Sequence, residues 1–233
     1  MTITLMFLAL LMGAIVWWLF RQTVNVEPWN AELAVRDAHG AVLARPPAKT
    51  ALWMFLAVAT SLFALFISAY AMRLDYLDWT PIPQPQMLMA NTAILIVASL
   101  AMEWTAFAAR RGDIEWVRKG LVASGLLTVG FLVGQILVWK QLSAAGYFLT
   151  TNAATAFFYL LTAVHGAHVM GGLVAWVRTT ARVRQGGDPA RIRLSVELCA
   201  IYWHFLLLVW VVLFAVLASS YLGLSICSPA IPL

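Results

Sequence analysis

The chain alternates long apolar runs with short polar ones. Residues 3–20 and 51–72 contain no charged side chain, and neither does the longer stretch 141–177. A membrane-spanning helix needs roughly 20 mostly apolar residues. On that measure six spans are predicted, at about 3–20, 50–72, 86–109, 119–139, 153–177 and 195–221. The run 141–177 is too long for one span, and "SAAGYFLTTN" (143–152) breaks it. Gly146 and Asn152 act as breakers there, and Thr151 or Asn152 is the expected N-cap of the next helix. "WTPIPQPQ" (79–86) holds three prolines and is expected to be a loop, as is "RQGGDPAR" (184–191).

Composition agrees with this pattern. Of 233 residues, 63% are hydrophobic and 11% charged, and mean hydropathy is +0.85. A soluble domain has too little polar surface to cover so much apolar area. The net charge of +5 does not indicate nucleic acid as a partner, because the cations sit in short segments between apolar runs. Thirteen Lys and Arg lie in 21–49, 110–119 and 178–193, which fall on one side of a six-span topology; only Arg73 and Lys140 lie on the other. Basic loops stay on the cytoplasmic side, so both termini are expected outside. In a bacterium this means the inner membrane, with periplasmic termini. Residues 3–20 lack a basic n-region and Arg21 follows the apolar run, which suits a retained anchor rather than a cleaved signal. The expected organisation is an N-terminal anchor helix with its loop (1–48), followed by a five-helix core (49–233). Two cysteines, Cys199 and Cys227, are too few for a disulfide framework.

Ionisable and amide side chains inside spans are the leading functional suspects. They are Glu103, Gln135, His165, His168, Glu197 and His204. His165 and His168 are three apart and share a helix face, a spacing that suits metal or haem ligation with Glu197 or His204 adding to the set. A proton relay needs titratable groups across the whole span, and the outer half offers almost none; a short inner antenna of Glu103, His168 and Glu197 stays open. The third reading, and the preferred one, is a structural polar cluster of His165, His168, Glu197, His204 and Glu103 that satisfies itself across helix contacts. Glu197 and His204 are seven apart and so share a face; Trp203 and Trp210 form a stripe on a different one. Ala163, Ala167, Gly171 and Ala175 recur every four residues, which predicts a close helix contact beside the histidines. Trp53, Trp203 and Trp210, with Arg110, Arg111 and Arg178, are candidate phospholipid contacts. No nucleophile–base pair, HExxH, phosphate loop or nucleotide fingerprint occurs.

Several motifs resemble one family. "FFYLLTAVHGAHVMGG" (157–172) and "ELCAIYWHFLLLVWVVLF" (197–214) resemble the two C-terminal signatures of subunit III of haem-copper cytochrome c oxidases of bacterial type. "KTALWMFL" (49–56), "PQPQMLMANTAIL" (83–95), "ARRGD" (109–113) and "GFLVGQ" (130–135) are similar to its other segments, in order. The resemblance implies an all-α polytopic bundle without a redox centre, which packs on catalytic subunit I, holds structural phospholipid, and supports proton uptake. Haem and copper would belong to partner subunits. The positions carried over are His165, Gly166, His168, Glu197, Tyr202, Trp203, His204, Trp210, Asn91 and Thr92. Three acids found in many members are replaced, by Ala59, Val138 and Leu207. Rival readings are an accessory protein of nitric oxide reductase and a stand-alone haem- or metal-binding membrane protein. On the predicted topology, a C-terminal tag is expected to be cut by protease in right-side-out vesicles; protection gives the opposite orientation.

Overall fold

The computed structural model describes residues 47–74 and 86–221, with Trp17 and Trp79 as isolated positions. The predicted first span, the loop after it, and most of the proline-rich segment 79–86 lie outside the described residues. Five helices follow in order: α1 (Pro47–Arg73), α2 (Gln86–Arg111), α3 (Ile114–Ala144), α4 (Ala153–Arg184) and α5 (Pro189–Tyr221). Each is long and apolar enough to cross a membrane. The chain is an all-α transmembrane bundle.

The helices run past their predicted ends, most of all at the basic end. α4 continues through Arg178 and Arg182 to Arg184, and α5 starts at Pro189, ahead of Arg191 and Arg193. At 1.5 Å per residue, the 32 residues of α4 are longer than a hydrocarbon core of roughly 30 Å. Charge marks the membrane edge. It does not stop a helix, because arginine is a good helix former. Pro189 opens α5 in the first turn, where its missing N–H is not needed.

The turns are short. Gly112 and Gly186, both at positive φ, end α2 and α4 in a conformation that a side chain disfavours. Asp113 then caps α3 by accepting from the Trp116 N–H at 3.2 Å. At the opposite end Asn152 caps α4 as expected, accepting from the Thr155 N–H and hydroxyl, both at 2.8 Å.

The chain divides into two compact units, one ending at Ala64 and the other starting at Leu65. In the second unit, α2 packs on α3, α3 on α4, α4 on α5, and α5 back on α2. These four helices close a ring, and their inner faces form the core. The last turns of α1 join it through Tyr70, whose ring meets Phe157 edge-on at 5.7 Å. The buried faces carry polar as well as apolar side chains. Ser99, Thr105, Ser124, Thr128, Gln135, Thr155, Thr162 and Thr179 are all buried, whereas Leu100, Leu126, Val174 and Leu208 face outward. Lipid tails are as apolar as leucine, so hydrophobicity alone does not choose the inner face. Small and hydrogen-bonding residues choose it, because they gain from contact with another helix.

The small-residue stripe of α4 is a correction to the sequence reading. Ala163, Ala167, Gly171 and Ala175 all lie on the exposed side of the helix, and nothing stands within 4 Å of a Cβ built on Gly171. The close approach is one residue on, at Gly172, where such a Cβ would stand 2.7 Å from Tyr202 Cε1. The stripe and the true contact differ by one residue, about 100° around the helix, and sequence periodicity could not tell them apart. Gly172→Ala is therefore expected to destabilise the purified chain by about 1–3 kcal/mol through overpacking. Gly171→Ala, its neighbour, is expected to be neutral or to stabilise by up to ~1 kcal/mol through helix propensity. Thermal unfolding in detergent checks both; the reverse order would restore the stripe as the packing face.

Candidate functional site

The four-helix core is built in layers of aromatic rings tied to hydroxyls. In the middle, the His165 ring of α4 lies 5.0 Å from the Trp210 ring of α5 and 5.8 Å from Phe131 of α3, centroid to centroid. Phe131 and Trp210 meet edge-on at 4.9 Å. All three are fully buried. Trp210 Nε1–H donates to Thr92 Oγ1 of α2 at 2.9 Å, so one indole touches three other helices. One layer toward the basic end, Trp203 Nε1–H donates across the ring to Thr128 Oγ1 of α3 at 3.0 Å. Thr128 passes its own proton to Ser124 O, so the hydroxyl both accepts and donates. Trp176 of α4 donates to Leu121 O of α3 at 3.0 Å. Toward the other end, Asn91 Nδ2–H donates to Gln135 Oε1 at 3.2 Å and Trp139 to Thr162 at 3.1 Å.

Indoles recur here for a physical reason. An indole fills a large volume and carries one donor, which must be satisfied away from water. A threonine already bonded to its own helix keeps lone pairs free to accept it. The expectation that Trp203 and Trp210 touch lipid is overturned: both are buried and hydrogen-bonded inside the bundle. Of the other lipid candidates, Trp53 is 53% exposed, Arg178 is exposed, and the Arg111 guanidinium lies 4.0 Å above the Phe107 ring. Arg110 is held by acids, as described next.

The predicted polar cluster is split. His165 belongs to the aromatic layer. His168 turns back on its own helix, Nδ1–H donating to Val164 O at 2.8 Å, while its backbone carbonyl accepts from Tyr202 O–H at 2.9 Å. The remaining members gather between α2 and α5, not between α4 and α5 as expected. His204 Nε2–H donates to Glu103 Oε2 at 2.9 Å. With Nε2–H donating to the carboxylate, Nδ1 is placed to accept from the Ser99 O–H, the two atoms standing 2.6 Å apart. Arg110 lies 3.9 Å from Glu103 Oε1 and 3.6 Å from Glu197 Oε1, and Arg193 reaches the same Glu197 oxygen at 3.0 Å. The result is a polar file running Ser99, His204, Glu103, Arg110, Glu197, Arg193.

The sequence carried a signal for this placement. Ser99, Glu103 and Arg110 are four and seven apart on α2, and Glu197 and His204 are seven apart on α5, so each set forms one face. Ser99, Thr92 and Thr128 were missed as partners, although Thr92 and Asn91 were carried over as matching positions. Nothing in periodicity singles out Thr128, because its partner Trp203 is 75 residues away. Where the family acids are absent, Ala59 and Val138 are buried.

The described side chains of this site join one helix to another. Among the described residues, no three His, Cys, Asp or Glu side chains gather as metal ligands, and the histidine pair is divided between ring packing and a backbone bond.

The sequence model described as "Cytochrome c oxidase subunit III" matches residues 3–221. A "Probable cytochrome c oxidase subunit 3" from Mycobacterium bovis is 34% identical over 160 residues, covering 67% of this chain and 77% of that protein. A "Cytochrome c oxidase subunit 3" from Synechocystis is 32% identical over 167 residues, 69% and 70% of the two chains. One from Thermostichus vulcanus is 30% identical over 199 residues, 83% and 96%.

The Trp203–Thr128 bond gives a test of the core. Trp203→Phe is expected to cost ~1–3 kcal/mol and Thr128→Val less. Their double-mutant coupling is expected near 0.6 kcal/mol, the average for side-chain hydrogen bonds in membranes. Unfolding in mixed micelles measures it, and zero coupling would mean that the bond adds nothing.

Proposed function

The chain belongs to the cytochrome c oxidase subunit III family, and on that premise we propose that it serves as a non-catalytic subunit of a proton-translocating haem-copper terminal oxidase. Its work is to pack against the catalytic subunit, steady it, and hold structural phospholipid beside it. O2 reduction to water and the haem and copper that perform it belong to the partner subunits. The observation that carries this reading is the filled centre of the four-helix ring. Phe131, His165 and Trp210 pack ring against ring there, which supports a structural role for this histidine. The relatives named above all carry the oxidase name, which favours the oxidase over an accessory role with nitric oxide reductase.

Residues 1–48 act as an N-terminal anchor helix and loop in this reading, and both termini face the periplasmic side of the inner membrane. The basic end of the bundle, with Arg110, Arg111, Arg118, Lys119 and Arg178, faces the cytoplasm. Trp53, Arg111 and Arg178 remain the proposed lipid contacts. A tryptophan at the acyl–headgroup boundary and an arginine within reach of phosphate suit that role.

Affinity purification of the tagged chain from its own membranes tests the proposal. A haem-bearing catalytic subunit is expected to come with it, and the chain separated from that subunit is expected to show no Soret absorbance. A solubilised complex without any haem-bearing subunit defeats the reading. A Soret band that stays with the isolated chain defeats its non-catalytic part alone.

A further inference from the structure

The amide contact between α2 and α3 is only half made. Asn91 Nδ2–H donates to Gln135 Oε1 at 3.2 Å. The other end of each amide, Asn91 Oδ1 and Gln135 Nε2, is buried and meets no hydrogen-bond partner among the described residues. Both side chains are closed off, Asn91 being 1% exposed and Gln135 4%. Turning the amides over does not remove the deficit. Turning one alone sets oxygen against oxygen or nitrogen against nitrogen. Turning both exchanges their roles and still leaves one acceptor and one donor over.

The surroundings make such a deficit costly. Gln135 lies one turn beyond Phe131 of the ring layer, and Asn91 adjoins Thr92, which accepts the Trp210 N–H. Lys140, the first charged residue after Gln135, stands five residues on, about 7.5 Å along the helix. The pair therefore lies in the apolar zone, where lipid offers neither donor nor acceptor. Burying a polar atom there without a partner is unfavourable. The contact is also closely fitted: a Cβ built on Gly134 would stand 3.0 Å from Asn91 Cγ and nearer still to Oδ1. The Asn91 carbonyl fits against α3 because residue 134 has no side chain. Whatever completes the two amides must be small enough to enter a closed site. It must accept from Gln135 Nε2–H and donate to Asn91 Oδ1. A bare cation cannot accept from an N–H, and an unprotonated anion cannot donate to a carbonyl. Water does both, and buried waters are held by about three such atoms, sometimes by two. One water bridges atoms up to about two hydrogen-bond lengths apart, roughly 6 Å, and the two free ends belong to amides already in contact.

We propose that Asn91 and Gln135 form a binding site for one internal water molecule, which accepts from Gln135 Nε2–H, donates to Asn91 Oδ1 and so joins α2 to α3 a second time. The site is built by this chain's own side chains and does not depend on what the chain assembles with.

Electron cryo-microscopy tests this on the chain purified from its own membranes with any subunits that accompany it, at a resolution that shows ordered water. A single round peak is expected within about 3.2 Å of both Asn91 Oδ1 and Gln135 Nε2. The peak is expected to be lost in Gln135→Met, which keeps the length of the side chain and removes the amide. The unsubstituted chain decides the matter even if that variant does not fold. A second direct bond between Nε2 and Oδ1 overturns the proposal, as do two amides that stay apart with no density between them. So does a side chain from residues 75–85 or from another subunit bonded to either atom, or an elongated lipid peak in the site. A peak that persists unchanged in Gln135→Met also overturns it, because the amide would then not hold the water.

Discussion

The bilayer core supplies no water, and the second unit of this structure is organised around that constraint. A buried N–H or O–H gains from a partner inside the protein, because lipid offers none. Long apolar helices solve the problem for the backbone. For side chains, the solution here is to aim indoles at hydroxyls across helix contacts. Trp203 reaches Thr128, Trp210 reaches Thr92, and Trp139 reaches Thr162. Each threonine also donates, or is placed to donate, to a carbonyl one turn back in its own helix. Such a hydroxyl costs little to bury and offers a lone pair to the neighbouring helix.

The same constraint shapes the inner faces. Leucine and valine lie on both sides of the helices, and the buried serines and threonines sit among apolar and aromatic side chains inside. Contact between helices is worth most where the side chains are small enough for close approach, as at Gly172 against Tyr202, or polar enough to bond. His165 fits the pattern as a ring packed among rings at the centre.

The ionisable groups follow a different course. Acids and cations were not drawn into the aromatic core but collected along the α2–α5 seam, where Glu103, Arg110, Glu197 and Arg193 neutralise one another in sequence. Ion pairs bring specificity more reliably than stability. A file of alternating charge fixes how far one helix slides along another, because a shift of one turn would set like charges together. At one end of the file the carboxylate and imidazole are each about half exposed.

The sequence by itself determined the class, the number of core spans, the turns and an N-cap at Thr151 or Asn152, between which the structure chose Asn152. Apolar run length and breaker residues act locally, so they can be read without the fold. It also determined which residues share a helix face: Glu197 with His204, Trp203 with Trp210, and Ser99 with Glu103 and Arg110. Only the tertiary structure decided which face meets which neighbour. In an apolar helix every side is compatible with lipid, and a rotation of about 100° carries almost no signature in composition. Hence the Ala163–Ala175 stripe faces outward and Gly172 makes the contact. Hence also His204 meets Glu103 of α2, not a histidine of α4, and the two tryptophans expected at the lipid lie in the core. Those choices belong to partners far apart in the chain, 75 to 118 residues for the Trp203, His204 and Trp210 bonds, which packing brings together and no local pattern announces.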